Sequence, residues 1–352
     1  MRTIDQGVLE GHHANRFDHV RLVAATMVIV SHCWPIFAGG KDPIRTLTGH
    51  VTLGELAVAV FFVVSGFLVY RSAETSRSWM RFALARFLRI VPGVLVCTLF
   101  CILVVGLTAT RLGTLEYLSS LQTWAFLKNA FPIAIAYNLP GVFEDNIYPK
   151  AVNGSLWTLP VEIRLYVVCA LACYFVPSRY TTPILAIIGL LAATWILPSL
   201  GGTRNSTYWI AHYGYYFFAG SALYVWRRHV PLNGIVAAVL VALTLATLQT
   251  PLYPFADALM LPYVVMWIVF PDPRSSGTLL RLPDISYGLY IYGFPVQQTV
   301  SHHFAHTLPF WTLMALSLAG TTLLAVLSWY LVEKPCLKLK DRPFARLAPR
   351  RT

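Results

Sequence analysis

A chain of 352 residues of which 57% are hydrophobic and only 12% charged, with a mean hydropathy of +0.61, has too little polar surface for a water-soluble globule. Backbone polar groups inside a bilayer must pair internally, and the apolar runs are long rather than alternating, so helical spans are expected and a β-barrel is not. The formal charge of +12 does not mark a nucleic-acid-binding protein, because the basic residues lie between apolar runs instead of clustering on a soluble face.

Taken in chain order, apolar segments fall near residues 19–38, 54–70, 88–108, 156–176, 183–199, 211–226, 233–249, 255–270, 285–303 and 309–332. The pattern predicts an all-α, polytopic integral membrane protein with about ten transmembrane helices and both termini cytoplasmic. It reads as a single domain over 1–352, ending in a basic tail from about 333. The first 18 residues are polar and no small-residue cleavage site follows the first apolar run, so that run is expected to stay as an anchor. With the N-terminus inside, 20 of the 27 Lys and Arg residues fall on the inner side, as the positive-inside rule requires. The longest connection, about 109–155, then lies outside. It mixes aromatic residues, Pro, Gly and a few charges, has room for short interfacial helices, and is expected to cover the site from that face. The six cysteines show no metal-ligand or disulfide spacing and read as small buried apolar groups, so no metal is expected.

Ionisable groups in a span are costly and call for a partner, a cavity or a function. Arg21 and His32 share the first span, eleven residues and about 16 Å apart along a helix, which puts Arg21 near the inner boundary and His32 in the outer half. Glu162, one to two turns into the fourth span, has a depth that matches His32; a carboxylate there would fix the imidazole tautomer of a general base. Equally, His32 reads as a hydrogen-bonded structural group and Glu162 as the partner of Arg164 or another internal cation. Arg86 and Arg89 open the third span on one helix face, a fork suited to phosphate, or else to topology and lipid headgroups.

The motifs resemble those of the acyltransferase-3 family of bacterial integral membrane O-acyltransferases, along nearly the whole chain. Arg21 and His32 form an R-x10-H element, followed by FFVVSGFLVYR at 61–71. Arg86 to Pro92 looks like the family's R-x-x-R-I-x-P segment, and Asn153 to Glu162 is similar to its N-G-S-L-W-S-L-x-x-E element, with Thr158 in the usual Ser position. Ser286 to Tyr290 and Ser328 to Pro335 match late family segments. Ala59 and Gly293 depart from residues common in the family, an acid and a His. The resemblance implies a cytosolic acyl-CoA donor, most simply acetyl-CoA, and no permanently bound cofactor. Arg21, Arg86 and Arg89 would handle the donor. His32 and Glu162 would be catalytic, either by base-assisted transfer or through an acyl-histidine. Asn153, Ser155, Trp157 and Tyr287 would bind the acceptor or shape the site. The acceptor implied is a hydroxyl of an extracytoplasmic carbohydrate, with a small hydroxylated metabolite as the alternative, and the location is the bacterial cytoplasmic (inner) membrane. A transporter or flippase is the rival class, since charged, Gly/Pro-broken spans also mark substrate pathways.

Overall fold

The computed structural model describes residues 3–9, 16–76, 78–175, 184–185, 188–189, 206–271 and 282–341. The fifth apolar segment expected from the sequence lies mostly outside them, as do Arg77, Arg179, Arg204, Arg274, Arg281 and the tail beyond 341. The described residues form helices with no strand, only isolated bridges between Thr3 and Pro231 and between Thr110 and Val142. The principal helices are α1 (Phe17–Cys33), α2 (Leu53–Thr75), α3 (Trp79–Phe100), α4 (Thr158–Phe175), α5 (Ser206–Val225), α6 (Gly234–Ala246), α7 (Tyr253–Val269), α8 (Ser286–Phe304) and α9 (Phe310–Ser328). Each falls on one of the apolar segments read from the sequence. Five helical stretches among the described residues are long and apolar enough to cross a membrane: Phe17–Ala38, Leu53–Thr75, Trp79–Ala109, Gly154–Tyr174 and Phe310–Lys340. The chain is a multi-pass membrane protein.

The helices divide into two compact units. The first takes Met1–Val28, Pro43–Thr75 and Val161–Pro283. Its centre is the pair α2 and α5, which approach closely because two positions lack a side chain: a Cβ on Gly66 would run into the Phe217 backbone, and one on Gly220 into the Val63 backbone. Ser221 Oγ donates to the Gly66 carbonyl at 3.0 Å across this seam. Beside it, α7 carries Pro262 in its interior. Proline has no N–H to offer the carbonyl four residues back, so the Ala258 oxygen loses its helical donor; the Tyr215 hydroxyl supplies one at 2.5 Å.

The second unit takes Ile29–Asp42, Ser76–Pro160 and Asp284–Thr352. Here α8 and α9 pack through Gly288, where a Cβ would lie 2.8 Å from Ala325 Cα. The end of α1 turns into a π-helical segment, Trp34–Ala38, closed by Gly39 in the left-handed conformation. Pro35 causes the change, since it can give no N–H to the Ser31 carbonyl. Ile36 and Phe37 of this turn, with Cys33, pack into a cluster with Phe294 and Leu313. The connection 109–155 is helical over its first part, with the short helices Thr114–Ser119 and Leu121–Ala125 and the 3-10 turn Phe126–Ala130, which packs on α3, and runs as turns and loop from 131 to 153. Tyr117, fully buried there, donates to the Ile102 carbonyl at 3.0 Å.

Candidate active site

The second unit gathers most of the residues that the motifs single out, and α8 is the element on which they are laid out. At its start, the Arg89 guanidinium pairs with Asp284 at 2.7 Å and lies over the Tyr287 ring, 5.7 Å from the centroid. Ser286 Oγ donates to the other Asp284 oxygen at 2.7 Å. The Tyr287 hydroxyl donates to the Ile90 carbonyl at 2.8 Å, and its ring fills the space that Gly93 leaves open. Arg86, one turn from Arg89 on the same face of α3, lies 5.9 Å over the Phe82 ring. Two of the three arginines expected to meet the donor, Arg86 and Arg89, thus share one face of α3, with Arg89 already charge-balanced by an acid on the neighbouring segment.

One turn along α8 comes the N-G-S-L-W turn. Pro295 lies within α8 and cannot donate to the Ile291 carbonyl. Two groups replace the missing donor: Asn153 Nδ2 at 2.9 Å and the Cys97 thiol at 3.2 Å. Asn153 is completely buried, and its Oδ1 accepts from the Ser155 backbone N–H at 3.2 Å, capping the 3-10 turn Gly154–Trp157. Gly154 fits there because a Cβ would meet the Phe294 ring at 2.6 Å. The Tyr290 hydroxyl closes the arrangement by donating to the Ser155 carbonyl at 2.8 Å and sharing a hydrogen bond with Thr158 Oγ1 at 2.5 Å. Ser155 Oγ is buried with no hydrogen-bond partner among the described residues, and Trp157 ends the turn, half-buried.

A further turn along α8 lies the end of α1. His32 sits in the last turn of that helix, half-buried, its ring edge-on to Phe294 at 5.4 Å between centroids. Gln297 Nε2 ties the two helices by donating to the Ile29 carbonyl at 2.8 Å and to Cys33 Sγ at 3.2 Å. Its neighbour Ser31 hydrogen-bonds to Asp42, which is 4% exposed and within Coulombic reach of the imidazole. From Tyr287 to Phe294 is seven residues, so the arginine end and the histidine end of this site stand about 10 Å apart along α8.

Glu162 and Arg21 belong to the first unit. Glu162 Oε1 accepts from the Tyr166 hydroxyl and from Ser65 Oγ, the latter at 3.4 Å. It makes no ion pair with Arg164, which is exposed and two residues on, a spacing at which helical side chains point apart. Arg21 lies 4.0 Å from Asp18, three residues earlier. Asp42, Asp284, Tyr290 and Gln297 were not singled out from the sequence. Asp42 sits before the Pro43 that opens the short helix Pro43–Thr48, so it reads as an ordinary cap; Asp284 reads as the last polar residue of a loop. Only Tyr290 carried a signal, as part of a motif.

A model of a family described as an acyltransferase domain matches residues 15–330. The chain is similar to an O-acetyl transferase of Shigella phage Sf6, at 28% identity over 341 residues covering 92% of this chain and 96% of that protein. It is also similar to Nodulation protein 10 of Rhizobium leguminosarum bv. viciae, at 29% identity over 374 residues covering 95% of this chain and 96% of the relative. No solved structure matches.

Proposed function

Because the chain belongs to the acyltransferase-3 family, we propose that it transfers an acetyl group from cytosolic acetyl-CoA to a hydroxyl of an extracytoplasmic carbohydrate in the bacterial inner membrane. The observation that carries this reading is the single helix α8, against which Arg89 packs at one end and His32, with Asp42 nearby, at the other. The O-acetyl transferase name of the phage relative supports acetyl as the group moved.

In this reading Arg86 meets the anionic nucleotide end of the donor, and Arg89, held by Asp284, fixes the start of α8 and adds to the positive field. The pantetheine arm runs along α8, so that the thioester arrives near His32. The His32 imidazole takes the proton from the acceptor hydroxyl. The oxygen attacks the thioester carbonyl, the C–S bond breaks, and the departing CoA sulfur is released as the thiol when the imidazolium returns the proton. Asp42 steadies the charged imidazole, a part the sequence reading gave to Glu162; Glu162 is bonded instead to Tyr166 and Ser65 within the first unit. Asn153 and Tyr290 keep the N-G-S-L-W turn rigid, which leaves the Ser155 hydroxyl and the Trp157 ring to meet the acceptor. Tyr287 shapes the arginine end.

Membranes containing wild type or His32→Ala, given radiolabelled acetyl-CoA and cell-envelope glycan, test this directly. Label is expected in glycan with wild type alone, with the variant present at wild-type levels and folded. Equal labelling by the variant would remove His32 from the chemistry.

A further inference from the structure

The connection 109–155 holds a feature that the transfer chemistry does not use. An open cleft of about 250 Å³ is lined by Gln122, Phe126, Lys128, Tyr137 and Asn138, with Ala125 and Ala136 at its edge. It is the size of one sugar unit; drug-sized ligands take pockets from about 300 Å³ upward. Its floor is fixed. Phe126 is fully buried, and the fully buried Asn129 clamps the segment that bears Tyr137 by donating from Nδ2 to the Ala136 carbonyl at 2.8 Å and accepting from the Ala136 N–H at 2.7 Å. An amide used in this way mimics a backbone partner and holds the rim in one shape.

The lining is mainly apolar but carries one cation, two amides and a phenol. Lys128, Gln122 and Asn138 are exposed, and no carboxylate lines the cleft among the described residues. Tyr137 adds a hydroxyl that stays a donor, since burial and then the neighbouring Tyr148 push its pKa up. The segments that bear the lining residues also carry side chains that water alone would not favour: Leu121 is 87% exposed, Ile133 71% and Phe131 61%, with Trp124 partly exposed as well. Such residues beside polar groups mark the level of the membrane interface.

We propose that this cleft is a binding site for an anionic sugar unit, a hydroxylated ring bearing one carboxylate or phosphate, on a glycan anchored at the membrane surface. Lys128 meets the anion, Gln122 and Asn138 meet ring hydroxyls, and Tyr137 forms a wall. The exposed apolar residues of the adjoining segments set the site at the depth where the sugars nearest a lipid anchor lie. The inference rests on the reading that the acceptor is a carbohydrate on the outer face, and narrows it to acidic glycans.

The test is binding by calorimetry to the full-length protein in a neutral detergent, without acetyl-CoA. The probes are a glucuronate-containing oligosaccharide and its neutral, carboxyl-reduced counterpart, each also measured with phosphatidylglycerol in the micelle. Wild type is expected to prefer the acidic probe about tenfold or more, Lys128→Gln to lose that preference with neutral binding kept, and Tyr137→Ala to weaken both. Equal affinity for the two probes, or a preference unchanged in Lys128→Gln, overturns the proposal. So does displacement of the acidic probe by phosphatidylglycerol, which would make this a lipid headgroup site. Glycan acetylation without any acidic preference sinks this inference alone, whereas acidic preference without acetyl transfer sinks the transferase reading.

Discussion

Replacing Asn153 by Ala removes two bonds at once. The 3-10 turn Gly154–Trp157 loses its cap, the Asn153 side chain that accepts from the Ser155 N–H, at a cost of about 1 kcal/mol. The Ile291 carbonyl, which Pro295 denies a helical donor, keeps only the Cys97 thiol, and a poorly satisfied buried carbonyl costs about 1–3 kcal/mol. The sum is about 2–4 kcal/mol of the second unit's stability. If the proline is the reason that the asparagine is needed, Pro295→Ala should restore an N–H to Ile291 and make the second cost vanish. A double-mutant cycle measured by detergent-denaturant unfolding is then expected to show a coupling of about 1 kcal/mol or more between Asn153→Ala and Pro295→Ala. Strict additivity would refute the argument that the side chain substitutes for the missing backbone donor. Acetyl transfer offers a second reading of the same variants, since a loosened turn moves Ser155 and Trp157 even in protein that stays folded.

Other perturbations separate the roles assigned above. Asp42→Asn is expected to lower kcat at least tenfold while leaving KM for acetyl-CoA near wild type; an equal rise in KM would mean that Asp42 shapes donor binding instead of steadying His32. Arg86→Ala should raise KM for acetyl-CoA with thermal stability kept. Arg89→Ala should chiefly destabilise, because it leaves the 15%-exposed Asp284 without its counter-charge, and adding Asp284→Asn should recover most of that loss in a thermal-shift measurement. Recovery of stability without recovery of donor affinity would assign Arg89 to donor binding after all.

The positions of the helices were legible because bilayer helices announce themselves by length and apolarity, and the R-x10-H and R-x-x-R elements because ionisable groups are out of place in hydrocarbon, whereas the N-G-S-L-W element was legible through its resemblance to the family. What the sequence concealed is where the compensating partners lie. Pro262 and Pro295 read as helix breakers, yet α7 and α8 run through them, because Tyr215 and Asn153 from other elements meet the carbonyls that the prolines free. Nothing local in either helix foretells those donors. Asp42 was hidden for a similar reason: its neighbour Pro43 gives it a local explanation, while its link to Ser31 depends on the π-helical turn that Pro35 introduces. Glu162 showed the reverse, an intramembrane acid whose sequence suggested a histidine or arginine partner and whose hydrogen bonds go to Tyr166 and Ser65.

Helix α6 has 13 residues, which at about 1.5 Å each rise about 20 Å, against a hydrocarbon thickness of about 30 Å. Ile235, Val239 and Leu243, spaced four apart along it, are 75%, 51% and 55% exposed, a stripe made for acyl chains. For such a short cylinder to cross, the surrounding leaflets must pinch inward, at a cost of a fraction of a kcal/mol per Å of mismatch. If α6 crosses, the bilayer thins beside that one helix and short-chain lipids are favoured there, while the longer spans, of 21 to 31 residues, impose no such demand.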